Sequence, residues 1–205
     1  MNNKELVKVL FLDIDGVLNS NYWNETHQKE ISDGTLLDEE KIKILASLIH
    51  KTKAKIILHS GWRFWFDDKL CPICTQARSL VEMLANEGLS IDGLTPDFTT
   101  EEIRRTKKFS LVKAKEILSW LQSHDDVTGW AVLDDLDLHN AKIEQHQVKP
   151  DPAIGLTFED IEKAEKILLN IELSSKDDIL LINIILGDDF IYRIDETKLM
   201  KNVFL

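Results

Sequence analysis

The chain has 205 residues, 43% of them hydrophobic, and a formal net charge of −11. That length suits one domain with a substantial core and room for a small appendage. No apolar run approaches the roughly eighteen residues of a membrane span, and Met-Asn-Asn-Lys-Glu-Leu at the amino terminus lacks the apolar region of a signal peptide, so a cytoplasmic protein with no membrane partner is expected. The acidic balance disfavours phosphate backbones as partners, so nucleic acid is possible but not favoured. The first element is Val7 to Leu12, whose near-continuous apolar residues predict a strand buried on both faces, as in a parallel sheet. It stops at Asp13, Asp15 and Gly16. Two neighbouring carboxylates repel unless a cation sits between them, and Mg²⁺ fits, since it takes hard oxygen ligands and is often held by one or two carboxylates.

Asn19 to Gly34 is polar and aromatic with little periodicity and reads as a loop or short flap over the end of the first strand. Its Tyr22 and Trp23 are equally readable as substrate contacts or as packing. Asp38 is expected to cap a helix from Glu39 to about Lys51, with Ile42, Leu45, Leu48 and Ile49 on one face. Lys55-Ile-Ile-Leu-His-Ser then predicts a second buried strand, and strand, helix, strand implies a right-handed parallel unit. Phe64-Trp-Phe reads as a loop. Cys71-Pro-Ile-Cys74 has the spacing of half a zinc site or a redox pair, but no second cysteine pair exists, which favours ordinary or loosely redox-active thiols. Thr75 to Asn86 predicts a helix ending before Gly88, and Leu89-Ser-Ile-Asp-Gly with Leu94-Thr-Pro a short strand followed by a turn. Asp97 to Lys108 has no apolar stripe and reads as an exposed loop carrying Arg104, Arg105, Lys107 and Lys108, a solvated patch or an anion contact.

Ser110 is expected to cap a helix whose Val112, Ile117, Leu118 and Leu121 turn inward. Lys113 falls in its first turn, where the helix dipole mildly disfavours a cation. Gly129-Trp-Ala-Val-Leu-Asp-Asp repeats the opening pattern: an apolar strand that ends at Asp134 and Asp135. If the two strands are parallel neighbours, both sets of aspartates converge on one crevice. His146-Gln-Val-Lys predicts a further strand, Asp151 to Thr157 a turn, and Thr157 with Asp160 a capping box opening a helix.

Leu-Asp-Ile-Asp-Gly-Val-Leu-Asn resembles the first motif, hhhDxDGxLxx, of the haloacid dehalogenase-like (HAD) hydrolases. Ile-Ile-Leu-His-Ser-Gly-Trp-Arg is similar to their second motif, Lys113-x-x-x-Ile-x-x-Trp-Leu to their third, and Asp134-Asp135 to the Asp-Asp form of their fourth. Asp-Pro-x-x-Gly-Leu-Thr after the acidic pair looks like a small, nearly capless subgroup, some of whose members are attached to nucleic-acid-repair enzymes. The resemblance implies an α/β, Rossmann-like three-layer sandwich with a central parallel sheet and minimal cap. It implies a catalytic domain over residues 1–173, with 174–205 an extension packed on the domain or a partner surface. It further implies an Mg²⁺-dependent phosphomonoesterase. Asp13 would be the nucleophile, Asp15 the general acid and base, and Ser60 and Lys113 the donors that stabilise the phosphoryl group; Lys107, Lys108 and Lys115 rival Lys113. Asp13, Asp134 or Asp135, and the carbonyl of Asp15 would hold the metal. Gly61 would offer a backbone N–H to the phosphate, and Arg63 a bidentate contact unless it is simply solvated.

Little beyond one loop and one helix separates the first two motifs and about fifty residues the second and third, so no large lid is expected and the site should be open to a nucleic-acid end or a phosphoprotein as well as a metabolite. A phosphorylated small molecule is the expected substrate, with a polynucleotide or nucleotide phosphatase as the alternative. Two non-enzymatic readings stand beside these: a phospho-accepting receiver module, whose acidic pair and acceptor normally come in another order, and an interaction module that keeps the fold without activity.

Overall fold

The apolar runs become strands and the amphipathic runs helices in the computed structural model, which describes residues 7–20, 28–32, 34–106 and 108–170. In chain order these are β1 (Val7–Leu12), β2 (Gln28–Ser32), β3 (Thr35–Asp38), α1 (Glu39–Thr52), β4 (Lys55–Leu58), a 3-10 turn over Gly61–Trp65, α2 (Thr75–Asn86), β5 (Ile91–Leu94), α3 (Glu101–Thr106), α4 (Ser110–Gln122), β6 (Val127–Leu133), α5 (Ala141–Glu144), β7 (Gln147–Val148) and α6 (Phe158–Leu168). Five strands form one sheet in the order β5-β4-β1-β6-β7, with every pair parallel. The chain first winds outward from β1 to β4 and β5, then crosses back to β6 and β7. The reversal lies between β1 and β6, and crevices at such points are where open α/β sheets bind ligands.

Side-chain alternation sorts the core into two layers. Leu10 and Leu12 of β1, Ile56 and Leu58 of β4, and Ala131 and Leu133 of β6 face one way, into a core shared with α1, α2 and α6. Val9, Phe11, Ile57 and Val132 face the other way, against Ala114 and Ile117 of α4 and Ile143 of α5. This is the expected three-layer α/β sandwich. It follows from a period of two in strands buried on both faces and from crossovers of one hand, which place helices on opposite faces as the winding direction reverses. Phe11 packs edge-on against Trp120 and Trp130, with ring centroids 5.4 and 6.2 Å away. No helix among the described residues is long and apolar enough to cross a membrane.

Local signals set several boundaries. Asp38 caps α1 by accepting from the N–H groups of Glu40 and Lys41, and Thr157 with Asp160 forms the capping box of α6. Other segments differ from expectation. Within the stretch read as a loop from Asn19 to Gly34, Gln28–Ser32 pairs antiparallel with Thr35–Asp38. The hairpin is pinned to the turn after β1, where buried Gln28 bonds the backbone and hydroxyl of Ser20 and Asp38 N–H bonds Leu18. Tyr22, Trp23 and Lys107 lie outside the described residues, as does the extension from 174 to 205. The Phe64-Trp-Phe loop is in large part a 3-10 turn, capped by Ser60. Residues 101–106 of the expected Asp97–Lys108 loop form α3, whose Arg104 bonds Asp97 at 2.9 Å. Ser110 does not cap α4: it is the first helical residue, and Phe109 before it already has helical dihedrals. Cys71 and Cys74 are free thiols, Cys71 exposed and Cys74 half-buried.

Gly129 lets the end of α6 close over β6, since a Cβ there would lie 2.4 Å from the carbonyl oxygen of Leu168. Gly129→Ala should destabilise the fold by about 1–3 kcal/mol through overpacking. Urea denaturation checks this, and an unchanged midpoint would refute the close approach.

Candidate active site

The site begins as a matter of register. Leu12 of β1 pairs with Leu133 of β6 and with Leu58 of β4, so Asp13, Asp134 and His59 emerge side by side. The ladder runs one step past the strands: Asp13 N–H bonds Leu133, His59 N–H bonds Leu12, and Asp134 N–H bonds Val148. Alternation continues too. Residues 9 and 11 of β1 and then 13 face α4, as do 57 of β4 and 59 beyond it, and 132 of β6 and 134 beyond it, so Asp13, His59 and Asp134 meet the helix that carries Lys113.

Lys113 descends between the aspartates. Its Nζ donates to Asp13 Oδ2 at 2.8 Å and to Asp134 Oδ2 at 2.7 Å, which explains a lysine near a helix amino terminus. Lys113 is 5% exposed, Asp13 4% and Asp134 0%, so the three share a site nearly without water. Burial is the largest single influence and pushes the Asp13 carboxyl up, but Lys113, with smaller contributions from His59 and Ser60, holds Asp13 below its usual range. Burial and the charge of Asp13 raise Asp134 to about 7. Lys113 is held well above its ordinary value, because the two carboxylates outweigh its own burial. His59, fully buried 3.5 Å from Asp134, is driven down to about 3 by burial and by Lys113, so its ring is neutral.

Asp135 joins from the other side. One oxygen from each of Asp13, Asp134 and Asp135 lies within 4.8 Å of the others. Three such carboxylates around one ammonium leave a surplus of negative charge, and an all-oxygen donor set suits a hard divalent cation such as Mg²⁺. Gly16, at φ +77, brings the turn after β1 against this group: a Cβ there would lie 2.7 Å from Asp135 Cγ, so no larger residue fits.

Asp15, two residues after Asp13, points elsewhere. Its Oδ2 accepts from the Trp62 indole at 3.1 Å and its Oδ1 from Asn19 at 3.0 Å, while Asn19 Oδ1 in turn accepts from Gly16 N–H. Ser60 is fully buried just past β4, its hydroxyl oxygen accepts the N–H of Trp62 at 3.3 Å, and its nearness helps to hold the Asp13 carboxyl down. Gly61 begins the 3-10 turn with open space where a side chain would be. Asp13, Asp15, Gly61, Lys113 and Asp135 border a cavity of about 650 Å³, together with Arg63, Glu116, Phe64, Arg104 and Phe109. Arg63 is not the solvated loop arginine of one of its two expected readings. It is buried, and its guanidinium bonds Glu116 at 2.9 Å and the carbonyls of His59 and Ser60. Of the rival lysines, Lys115 lies over the Phe98 ring and Lys108 is exposed.

Trp62, Asn19, His59 and Glu116 were not singled out from sequence. Glu116 left a signal, for it shares the apolar stripe of α4 with Val112 and Ile117, and a charge there calls for a buried partner.

A parallel sheet with paired aspartates at its switch point, a serine at the next strand end and a lysine between the carboxylates defines a haloacid dehalogenase-like domain. Residues 9–161, from β1 into α6, match the family described as the HAD domain in Swiss Army Knife RNA repair proteins, and the chain belongs to that family. No curated protein and no solved structure matches it. Membership supports an activity of the hydrolase or phosphatase type.

Removing the ammonium tests the electrostatics directly. Lys113→Met should cost about 3–5 kcal/mol of stability in metal-free protein, because it leaves buried carboxylates uncompensated. Chemical denaturation in the presence of chelator measures it, and a loss below 1 kcal/mol would contradict the arrangement.

Proposed function

We propose that the protein is an Mg²⁺-dependent phosphomonoesterase that works through an aspartyl-phosphate on Asp13. The observation that carries this is the division of the opening dyad: Asp13 is buried against Lys113 and Ser60, whereas Asp15 is held apart by Trp62 and Asn19 at the cavity wall. A carboxylate kept ionised by an ammonium is suited to attack phosphorus, and forming a covalent intermediate splits one difficult displacement into two easier ones. Asp15 would give its proton to the leaving oxygen, then take one from the water that cleaves the aspartyl-phosphate. Such proton transfer contributes about 10²–10⁴-fold. Lys113, Ser60 and the N–H of Gly61 would bind the phosphoryl oxygens, the preorganised stabilisation on which phosphoryl transfer chiefly depends.

The carboxylates of Asp13, Asp134 and Asp135, with the backbone carbonyl of Asp15, would hold Mg²⁺. Bound there it would supply the positive charge that screens an anionic nucleophile from an anionic substrate.

A phosphorylated small molecule is the first reading of the substrate, and a terminal phosphate on RNA or a nucleotide is the second. The second is favoured by the description of the family as RNA repair proteins and by Phe64 and Phe109, both partly exposed, in the cavity wall; the net charge of −11 opposes it. A panel of p-nitrophenyl phosphate, phosphorylated metabolites and 3′-phosphorylated oligonucleotides separates the two. It also separates an enzyme from a silent interaction or receiver module, which would turn over none of them.

Asp13→Asn should abolish turnover and, having lost a ligand charge, should also lose most of the thermal stabilisation that Mg²⁺ gives the wild type. Activity within tenfold of wild type would overturn the assignment. Asp15→Asn should keep the Mg²⁺ shift but lose about two to four orders of magnitude in turnover. p-Nitrophenolate leaves without much protonation, so rapid mixing of this variant with p-nitrophenyl phosphate should give a burst followed by a slow steady state. Equal losses for aryl and alkyl phosphates without a burst would remove Asp15 from the proton path.

A further inference from the structure

Arg63 and Glu116 form a buried ion pair that none of the steps above uses. Arg63 is 6% exposed and Glu116 0%. Arg63 Nη1 donates to the carbonyl oxygens of His59 at 3.1 Å and Ser60 at 3.0 Å, and its Nη2 to Glu116 Oε2 at 2.9 Å. The other carboxylate oxygen of Glu116 accepts the N–H of Phe98 at 2.8 Å. Glu116 stands three residues after Lys113 on α4, a spacing that sets the two on one face of the helix. A continuous line of contacts therefore runs from the backbone of Ser60, through the guanidinium and Glu116, to the turn of helix that carries Lys113.

Stability alone does not account for the pair. Two desolvated charges usually gain little over apolar side chains of the same volume, and α4 already packs on the sheet through Ala114 and Ile117. The choice of arginine has a geometric meaning, because a flat fork can hold two carbonyls and a carboxylate in fixed directions, and an ammonium cannot. What the fork joins is the end of β4 and α4, the two elements that present the donors assigned to the phosphoryl oxygens.

We infer that Arg63 and Glu116 are positioning residues of the phosphatase centre proposed above, on which this reading rests, and that they set the spacing between Ser60 and Lys113. Both border the cavity, but Arg63 Nη1 and Nη2 and both carboxylate oxygens of Glu116 are engaged in the bonds above, so they act through those two donors. Displacing a positioned group by about 1 Å typically costs on the order of 10²-fold in rate.

The test compares wild type with Arg63→Met/Glu116→Gln, which removes both charges at similar volume and leaves an acceptor for Phe98 N–H, and with Arg63→Lys, which keeps the charge but not the fork. Circular dichroism and the Mg²⁺-induced shift in Tm should match wild type in the double variant. Its kcat on p-nitrophenyl phosphate should fall about 10–100-fold while KM moves less than about threefold, and the inhibition constant of orthovanadate, which mimics the trigonal phosphoryl group, should rise in step with the loss in kcat. Arg63→Lys should be impaired to a similar degree. Wild-type kcat and vanadate affinity in the double variant, whatever its Tm, would overturn the inference, as would full rescue by Arg63→Lys, since charge balance would then suffice. Should the double variant fail to fold, Arg63→Lys and Glu116→Gln carry the same comparison. The underlying reading fails separately: wild type without turnover ends both, whereas turnover lost in Asp13→Asn and unchanged in the pair variants ends only the inference about the pair.

Discussion

Asp13 and Asp134 stand beside each other because β1 and β6 pair in register, and both are closed off from water by α4. Each buried carboxylate costs several kcal/mol in lost hydration, and their mutual repulsion adds to it. The Lys113 ammonium, within 2.8 Å of both, is what makes the arrangement tolerable, and much of the domain can be understood as bringing it there. The chain must cross the sheet after β5 so that α4 covers the face toward which residue 13 points. α4 must keep Lys113 and Glu116 on its apolar side, with Val112 and Ile117 around them. The switch point is thus an electrostatic as well as a topological feature.

The opening dyad shows how a small difference in backbone path separates two identical side chains. Asp13 still obeys the alternation of the strand and goes to the α4 face. Gly16 then turns the chain with positive φ, and Asp15 is caught between Trp62 and Asn19. One carboxylate is enclosed with a cation, and the other is held by two neutral donors at an accessible wall. Enclosure suits the nucleophilic part proposed for Asp13, and access suits the proton exchange proposed for Asp15.

Most of the sheet and most of the site were legible in the sequence because their signals are local. The apolar runs that end at Asp13, at Ser60 and at Asp134 identify three adjacent parallel strands, and residues just past strand ends in such sheets gather at one crevice. Asp38, Thr157 and Asp160 mark helix starts through hydrogen bonds within three residues. What escaped depends on partners that the local pattern does not reveal. The β2–β3 hairpin is short and largely polar, and it is held by Gln28 and Asp38 reaching back to Ser20 and Leu18. α3 has no apolar stripe, and an Asp97–Arg104 pair supports it. Arg63 read as a loop cation because Glu116, which accepts its charge, lies 53 residues on. His59 read as a strand residue, since nothing local says that its neighbours will be Asp134 and Lys113.

The pairing of β1 with β6 has a consequence for how the protein comes into being. Lys113 follows Asp13 by 100 residues, and the central strand finds its second neighbour only after β4, β5 and α4 have been made. Contacts of such long sequence separation close slowly. A growing chain therefore leaves the ribosome with the β6-facing edge of β1 unpaired and Val9 and Phe11 still waiting for α4, a surface prone to association with other chains. The same delay means that no partial product contains the Asp13–Lys113–Asp134 cluster, so the cluster and the completed fold arrive together.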